Sequence, residues 1–212
     1  LEKLSSTAGD NGRDDRKNLI HQTKSAWLQT LTSLDHEDDD PGTVWNKEAR
    51  ERDKDRMSPR QAWRAIQAGM PNEVIISSDI GNNCAIGNAY PTFEKGRKYL
   101  APGLFGPCGY GFPSILGAKI GCPNTPVIGF AGDGAFGISM NEMSSCARKE
   151  WPAISMVIFR NYQWGAEKRN SILWFDDNFV GTELDPELSY AKVANACGLK
   201  GITVKTREET AK

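Results

Sequence analysis

The sequence predicts an α/β fold: a parallel sheet with helices on both faces, preceded by a mostly polar, partly helical linker. Three observations carry that expectation. Short apolar runs alternate with segments of helical periodicity from residue 58 onward. The runs are continuous rather than alternating, as in strands covered on both sides. Gly-rich stretches follow the ends of these runs, where open parallel sheets bind their ligands.

The elements follow in order. Residues 1–57 are polar, with charge clusters at Arg13 to Lys17 and Glu37 to Asp40. One amphipathic helix is expected there, from Leu19, Ile20, Trp27, Leu28, Leu31 and Leu34 at helical spacing. The Asp-rich run before Pro41-Gly42 reads as a solvated turn, with a metal site the minority reading. Ser58-Pro59-Arg60-Gln61 is a helix start, with Ser as cap, Pro at the first position and Gln three residues after the cap. Ala62, Trp63, Ala65 and Ile66 form its apolar stripe, and Gly69 ends it. Val74-Ile75-Ile76 is a buried strand leading into Ser77-Ser78-Asp79. A helix is expected over 112–120, a strand over 127–131, a helix over 138–149 and a strand over 154–159. Tyr190, Val193, Ala194 and Cys197 predict another helix, stopped by Gly198, and Ile202-Thr203-Val204 a fourth strand.

Composition narrows the function. Of 212 residues, 39% are hydrophobic and 25% charged, so a wholly disordered chain is excluded. Lys and Arg total 26 against 27 Asp and Glu, which gives no global attraction to nucleic acid or an anionic membrane. No apolar run approaches the roughly 18 residues of a membrane span. The five Cys lack CxxC spacing and are odd in number, which fits reduced thiols and a cytoplasmic location. Leu1-Glu2-Lys3-Leu4 has neither an initiator Met nor a signal-peptide core, so the chain reads as a fragment of a longer one.

Gly132-Asp133-Gly134-Ala135-Phe136-Gly137 leaves a strand and opens a helix, matching GxGxxG formally. Against a dinucleotide site, the next strand ends at Arg160-Asn161 rather than at an acidic residue. A carboxylate beside a pyrophosphate at a helix start is also unfavourable unless a cation lies between them. With Mg²⁺ the pattern makes sense, because that hard cation takes oxygen ligands from carboxylate, amide and phosphate together. Asp133 is one such ligand and Asn161, 28 residues later, a plausible second. Gly134 and its neighbours allow backbone N–H groups close to phosphate. The alternative is a tight turn with Asp133 as a helix cap.

Gly132-Asp133-Gly134 with Arg160-Asn161 resembles the cofactor motif of the thiamin diphosphate enzymes, Gly-Asp-Gly followed one helix and one strand later by Asn-Asn. Arg160 replaces the first Asn of that pair. Gly106-Pro107-Cys108-Gly109-Tyr110-Gly111-Phe112-Pro113 is similar to a second segment of the same family, which packs against the aminopyrimidine ring. The resemblance implies thiamin diphosphate and Mg²⁺ as cofactors, with Asp133, Asn161 and the Gln163 carbonyl as metal ligands. It places Gly106, Cys108, Gly132, Gly134, Ala135 and Gly165 beside the cofactor as well, with Cys108 where a Met commonly props it in a bent conformation. A Cys–His nucleophile is disfavoured, since His21 and His36 both lie in the polar N-terminal segment.

The strings Ser77 to Asn88, Tyr99 to Gly109 and Asn161 to Lys168 are similar to an acyl-transferring branch of the family. That likeness implies a small-molecule reaction, sulfoacetaldehyde and phosphate giving acetyl phosphate and sulfite. Other members, such as an acetolactate synthase or a 2-oxoacid decarboxylase, remain open, as does a non-catalytic cofactor-binding module. Arg160, Lys168 and Arg169 are the cations nearest the expected site, and Asn82, Asn83 and Tyr110 are candidate contacts. The family's activating glutamate belongs to a pyrimidine-binding domain of a second subunit, and Glu142 does not match it. The resemblance therefore implies a diphosphate domain over 58–212, cut short, after a linker or the end of a middle domain over 1–57. The fragment alone is expected to be inactive, and the full-length protein a homodimer or homotetramer.

Overall fold

The computed structural model describes residues 10–39, 57–91, 98–148, 150, 152–176 and 178–210. Contacts divide the chain into two units, Leu1–Asp55 and Arg56–Lys212. In the first, helix α1 runs over Asp10–Asp39. It is much longer than the expected apolar stripe, and it carries the acidic run on as far as Asp39 rather than breaking into a turn. Pro41-Gly42 lies outside the described residues. Leu19, Ile20, Trp27 and Leu28 are exposed on this helix, while Leu31 is buried.

The second unit is built on four parallel strands, β1 (Ile75–Ser78), β2 (Lys98–Leu100), β3 (Val127–Gly132) and β4 (Ser155–Phe159), in the order β2-β1-β3-β4. All three pairings are parallel, with Ile76 opposite Tyr99 and Ile128, and Gly132 opposite Phe159. The chain steps from β1 to one side and returns to the other for β3. The crevice between β1 and β3 is therefore the point where ligands bind in such sheets.

Helix α2 (Pro59–Gly69) starts as its sequence dictates. The Ser58 hydroxyl accepts from the Gln61 N–H, and the Gln61 side chain accepts from the Ser58 N–H, a reciprocal cap. Alternation along β3 separates two faces. Phe130 points toward Trp63 of α2, ring centroids 4.2 Å apart. Val127 and Ala131 join the opposite cluster with Phe112 and Ile115 of α4 (Gly111–Gly121). Gly129 lies on that side too, where a Cβ would meet Ile115 and Met156. Helix α3 (Asn82–Ala89) links β1 to β2 and packs against Trp63 through Gly87.

Two elements depart from the sequence reading. The helix expected over 138–149 begins earlier, as α5 (Asp133–Ser139), then tightens through Met140–Glu142 into α6 (Met143–Cys146). Gly134 and Gly137 are helical here despite their poor propensity, because Ala135, Phe136 and Met143 are buried. Ile202-Thr203-Val204 forms no strand, and Lys98–Leu100 is the fourth strand instead. β-branched residues favour a strand where a half-covered sheet surface receives them, and Ile202 is 71% exposed. Helix α7 (Gly165–Trp174) follows β4. Helix α8 (Tyr190–Ala196) packs Tyr190 and Val193 on the core, and α9 is Arg207–Thr210. Among the described residues no helix is long and apolar enough to cross a membrane, and all five cysteines are free thiols.

Candidate functional site

Asp133 is the first residue of α5, directly after the end of β3, and Gly132 rather than Asp133 occupies the cap position. Its side chain is buried. Oδ1 accepts from the Gly134 N–H at 3.1 Å and Oδ2 from the Tyr162 N–H at 2.7 Å. Its carbonyl accepts from the Tyr190 hydroxyl at 2.7 Å. Burial pushes the carboxyl above the usual range, against the N–H groups of Tyr162, Gly134 and Asp133 itself and the Arg160 charge.

The pairing of Gly132 with Phe159 brings the next residues of both strands side by side. Asn161 lies two residues past the end of β4. One terminal atom of its amide stands 3.1 Å from Asp133 Oδ1 and 2.8 Å from the Gln163 carbonyl oxygen. With the nitrogen there, the amide donates to both. With the oxygen there, three oxygens converge, an arrangement that repels unless a cation sits among them. Carboxylate, amide oxygen and main-chain carbonyl are the donor types a hard divalent cation takes, so these residues fit Mg²⁺. The turn carrying them is bent at Tyr162, whose φ is +61°, a conformation L-residues rarely adopt.

The glycines around this turn are held by close approach. A Cβ on Gly134 would lie 2.8 Å from the Trp164 indole, and one on Gly165 2.7 Å from Asn161 Nδ2 and 3.0 Å from Asn82 Nδ2. Asn82 therefore reaches the Asn161 turn. Asn83 is buried, donating to the Asp79 carbonyl at 3.1 Å, with its Oδ1 facing Gly132, where a Cβ would lie 3.5 Å away. Ala135 is buried beside Phe136 in α5.

Across the crevice, Asp79 follows β1 and is wholly buried. Its carboxylate accepts from the N–H groups of Ile80 at 2.9 Å, Gly109 at 3.1 Å and Gly111 at 2.7 Å. A buried carboxylate is tolerated only when so many donors face it. It thereby fixes the Gly106–Gly111 loop and caps α4, whose own cap residue Tyr110 offers no side-chain bond. Gly106 and Gly109 take positive φ values, +57° and +87°. Cys108 is the one exposed cysteine. Burial of its sulfur, then the charges of Asp79 and Glu167, push its thiol up.

Of the cations near the site, Lys168 is paired with Glu183 and lies over the Phe179 ring, and Arg169 is exposed. Arg160 donates to the carbonyls of Asp185 and Pro186. Glu142 sits in the 3₁₀ turn after α5, accepting from Asn141. Three residues that orient the site had no role in the sequence reading, although Asp79 and Tyr162 fall in the strand-end stretches 79–83 and 161–165 where ligands are expected. Tyr162 acts through its backbone N–H, which no side-chain pattern marks. Tyr190 reads as an ordinary core position. Asp79 is the lone acid at the end of an apolar strand, and its part as an acceptor for loop N–H groups is set by tertiary bonds.

Residues 79–212 match the family model described as thiamine pyrophosphate enzyme, C-terminal TPP binding domain. A relative in Rhizobium meliloti (strain 1021), named "Probable sulfoacetaldehyde acetyltransferase", is 76% identical over 97% of this chain and 35% of its own. A sulfoacetaldehyde acetyltransferase of Roseovarius nubinhibens is 70% identical over 99% of this chain and 35% of its own. The chain thus spans about a third of the length of these curated relatives. A thiamine diphosphate-dependent 4-hydroxybenzoylformate decarboxylase of Rhodococcus jostii RHA1 shares the fold, with a TM-score of 0.67 at 24% identity, over 74% of this chain and 29% of that one. With more than half of its length matched by the family model, the chain belongs to the thiamine pyrophosphate enzymes and carries their C-terminal TPP binding domain.

Proposed function

We propose that this chain supplies the diphosphate- and Mg²⁺-binding half of the site in a sulfoacetaldehyde acetyltransferase. That enzyme would convert sulfoacetaldehyde and phosphate to acetyl phosphate and sulfite. The observation that carries the reading is the meeting of Asp133 Oδ1, the Asn161 amide and the Gln163 carbonyl at adjoining strand ends. The names of relatives 76% and 70% identical over nearly this whole chain support the choice of reaction.

Asp133, Asn161 and Gln163 would hold Mg²⁺, and the metal would neutralise the diphosphate beside the Asp133 carboxylate. Gly132, Gly134, Ala135 and Gly165 would border the diphosphate, as they lie where the end of β3 meets the first turn of α5 and the Asn161–Gly165 turn. Gly106 and Cys108 would face the pyrimidine from a loop that Asp79 holds. When bound, thiamin diphosphate supplies the electron sink through which an aldehyde carbon can be transferred as an acyl group. The protein's part is to bind, orient and keep that group's charge compensated. Residues 58–212 are read as the diphosphate domain and 1–57 as a linker or the end of a middle domain. A pyrimidine-binding domain of a second subunit would complete the site in a homo-oligomer, and the location would be cytoplasmic.

The test uses the full-length protein with Mg²⁺ and thiamin diphosphate. Sulfite release from sulfoacetaldehyde, dependent on phosphate, is the expected result. Turnover of pyruvate to CO₂ without sulfite chemistry would replace this reading with an acetolactate synthase or a 2-oxoacid decarboxylase.

A further inference from the structure

Arg160 has two contrary readings: a free cation for the sulfonate or phosphate of the substrate, or a brace for the metal-binding turn. Its contacts decide between them. Nη2 donates to the main-chain carbonyls of Pro186 at 3.0 Å and Asp185 at 3.3 Å. The guanidinium lies 4.4 Å above the Tyr162 ring and 6.0 Å from that of Tyr190. Both tyrosines bind Asp133 from different sides: Tyr162 through its N–H to Oδ2, Tyr190 through its hydroxyl to the Asp133 carbonyl. The segment that Arg160 grips is the same one that clasps the turn. Leu184 N–H donates to the Tyr162 carbonyl at 2.8 Å, and Trp164 N–H to the Thr182 carbonyl at 2.7 Å.

We propose that Arg160 is a positioning residue for the metal site, holding Asp133 and the Asn161–Gln163 turn in register through Tyr162, Tyr190 and the 182–186 segment. The planar guanidinium suits this task. It stacks on a ring while its in-plane N–H groups reach two carbonyls, which an ammonium cannot reproduce. The strained φ of Tyr162 makes the clasp necessary, because an unbraced turn would relax away from the geometry that brings Gln163 back toward Asn161.

The inference rests on the metal assignment proposed above, and the experiment separates the two. In the full-length protein, the quenching of tryptophan fluorescence by thiamin diphosphate is followed as Mg²⁺ is titrated. Asp133→Ala, Arg160→Ala, Arg160→Lys and the wild type are compared, and each unliganded thermal midpoint is recorded. Asp133→Ala should abolish Mg²⁺-dependent binding. Arg160→Ala and Arg160→Lys should both raise the half-saturating Mg²⁺ about 10- to 100-fold, the usual effect of removing a residue that orients metal ligands. Should Arg160→Ala fail to fold, Arg160→Lys carries the comparison, since it keeps the charge and the long stem.

If Asp133→Ala binds as the wild type does, the metal assignment falls and the brace falls with it. If Asp133→Ala loses binding while both Arg160 variants keep the wild-type Mg²⁺ midpoint, only the brace is overturned. An increase confined to the KM for phosphate in the Arg160 variants, with Mg²⁺ dependence unchanged, would overturn it too and assign Arg160 to the anion.

Discussion

At Gly134 the absence of a side chain has a named cause. A Cβ would come within 2.8–3.0 Å of three indole carbons of Trp164, and that residue's N–H is bonded to the Thr182 carbonyl, so the ring has little freedom to retreat. Gly134→Ala should therefore cost about 1–3 kcal/mol through overpacking. Trp164→Leu in the same chain should recover part of that loss. A double-mutant cycle on thermal midpoints measures the coupling, and strict additivity would show that the indole is not what forbids the methyl. Cys108 yields a pH prediction of its own. Its thiol lies above the ordinary range because its sulfur is partly desolvated and because Asp79 and Glu167 oppose the thiolate. The thiolate is the reacting form, so alkylation of the folded protein at pH 8 should lag behind that of the same residue in urea and catch up as pH rises. Glu167→Gln removes one opposing charge from an exposed position and should move the profile to lower pH. Peptide mass spectrometry separates Cys108 from Cys146, whose thiol burial pushes up to about 11. An identical profile in the folded and unfolded states would contradict the proposed field at this loop.

Among the elements, legibility followed how much of the causal information was local. The cap of α2 was fully readable, because Ser58, Pro59 and Gln61 act on their own neighbours, and both reciprocal bonds are present. Strands β1, β3 and β4 were readable within a residue or two at each end from their continuous apolar runs, which burial on both faces explains for β1 and β3, while β4 lies at the sheet edge and is only partly covered. Strand β2 was not, because Lys98–Leu100 has a single fully apolar residue and is a strand only through its pairing with β1. The run Ile202-Thr203-Val204 has the reverse history: strong propensity and no sheet surface to receive it. Helix α5 shows a third case. Gly134 and Gly137 argue against a helix there on propensity, and it forms because Ala135 and Phe136 are buried at its start. The candidate site divides along the same line. Asp133 and Asn161 became candidates through spacing and residue type, whereas Gln163, whose part is a main-chain carbonyl, became one only through the family resemblance. What orients them, the backbone of Tyr162, the hydroxyl of Tyr190 and the clasp of residues 182–186, arises from tertiary hydrogen bonds that no periodicity announces.

At the scale of the molecule, the second unit has a complete core between its sheet and helices, yet it leaves large apolar side chains in solvent. Leu104 and Phe105 stand almost fully exposed beside Gly106, and Trp174, Phe175 and Val180 are exposed around the end of α7. Exposed apolar groups in such number mark interaction or ligand surfaces, or a liability to associate. This chain matches 35% of the length of the curated relatives named above. The proposed half-site would supply metal ligands and a diphosphate turn, with no carboxylate in a pyrimidine-binding setting among the described residues. The 212-residue chain alone is therefore expected to bind Mg²⁺ and thiamin diphosphate without releasing sulfite from sulfoacetaldehyde and phosphate. The check is a complementation assay, in which the chain is assayed alone and then with the remaining two thirds of the Rhizobium relative expressed separately. Sulfite should appear only on mixing, and a mixture containing Asp133→Ala should stay silent. Robust release by the chain alone would mean that these residues form a self-sufficient catalyst and would overturn the division of the site between two domains.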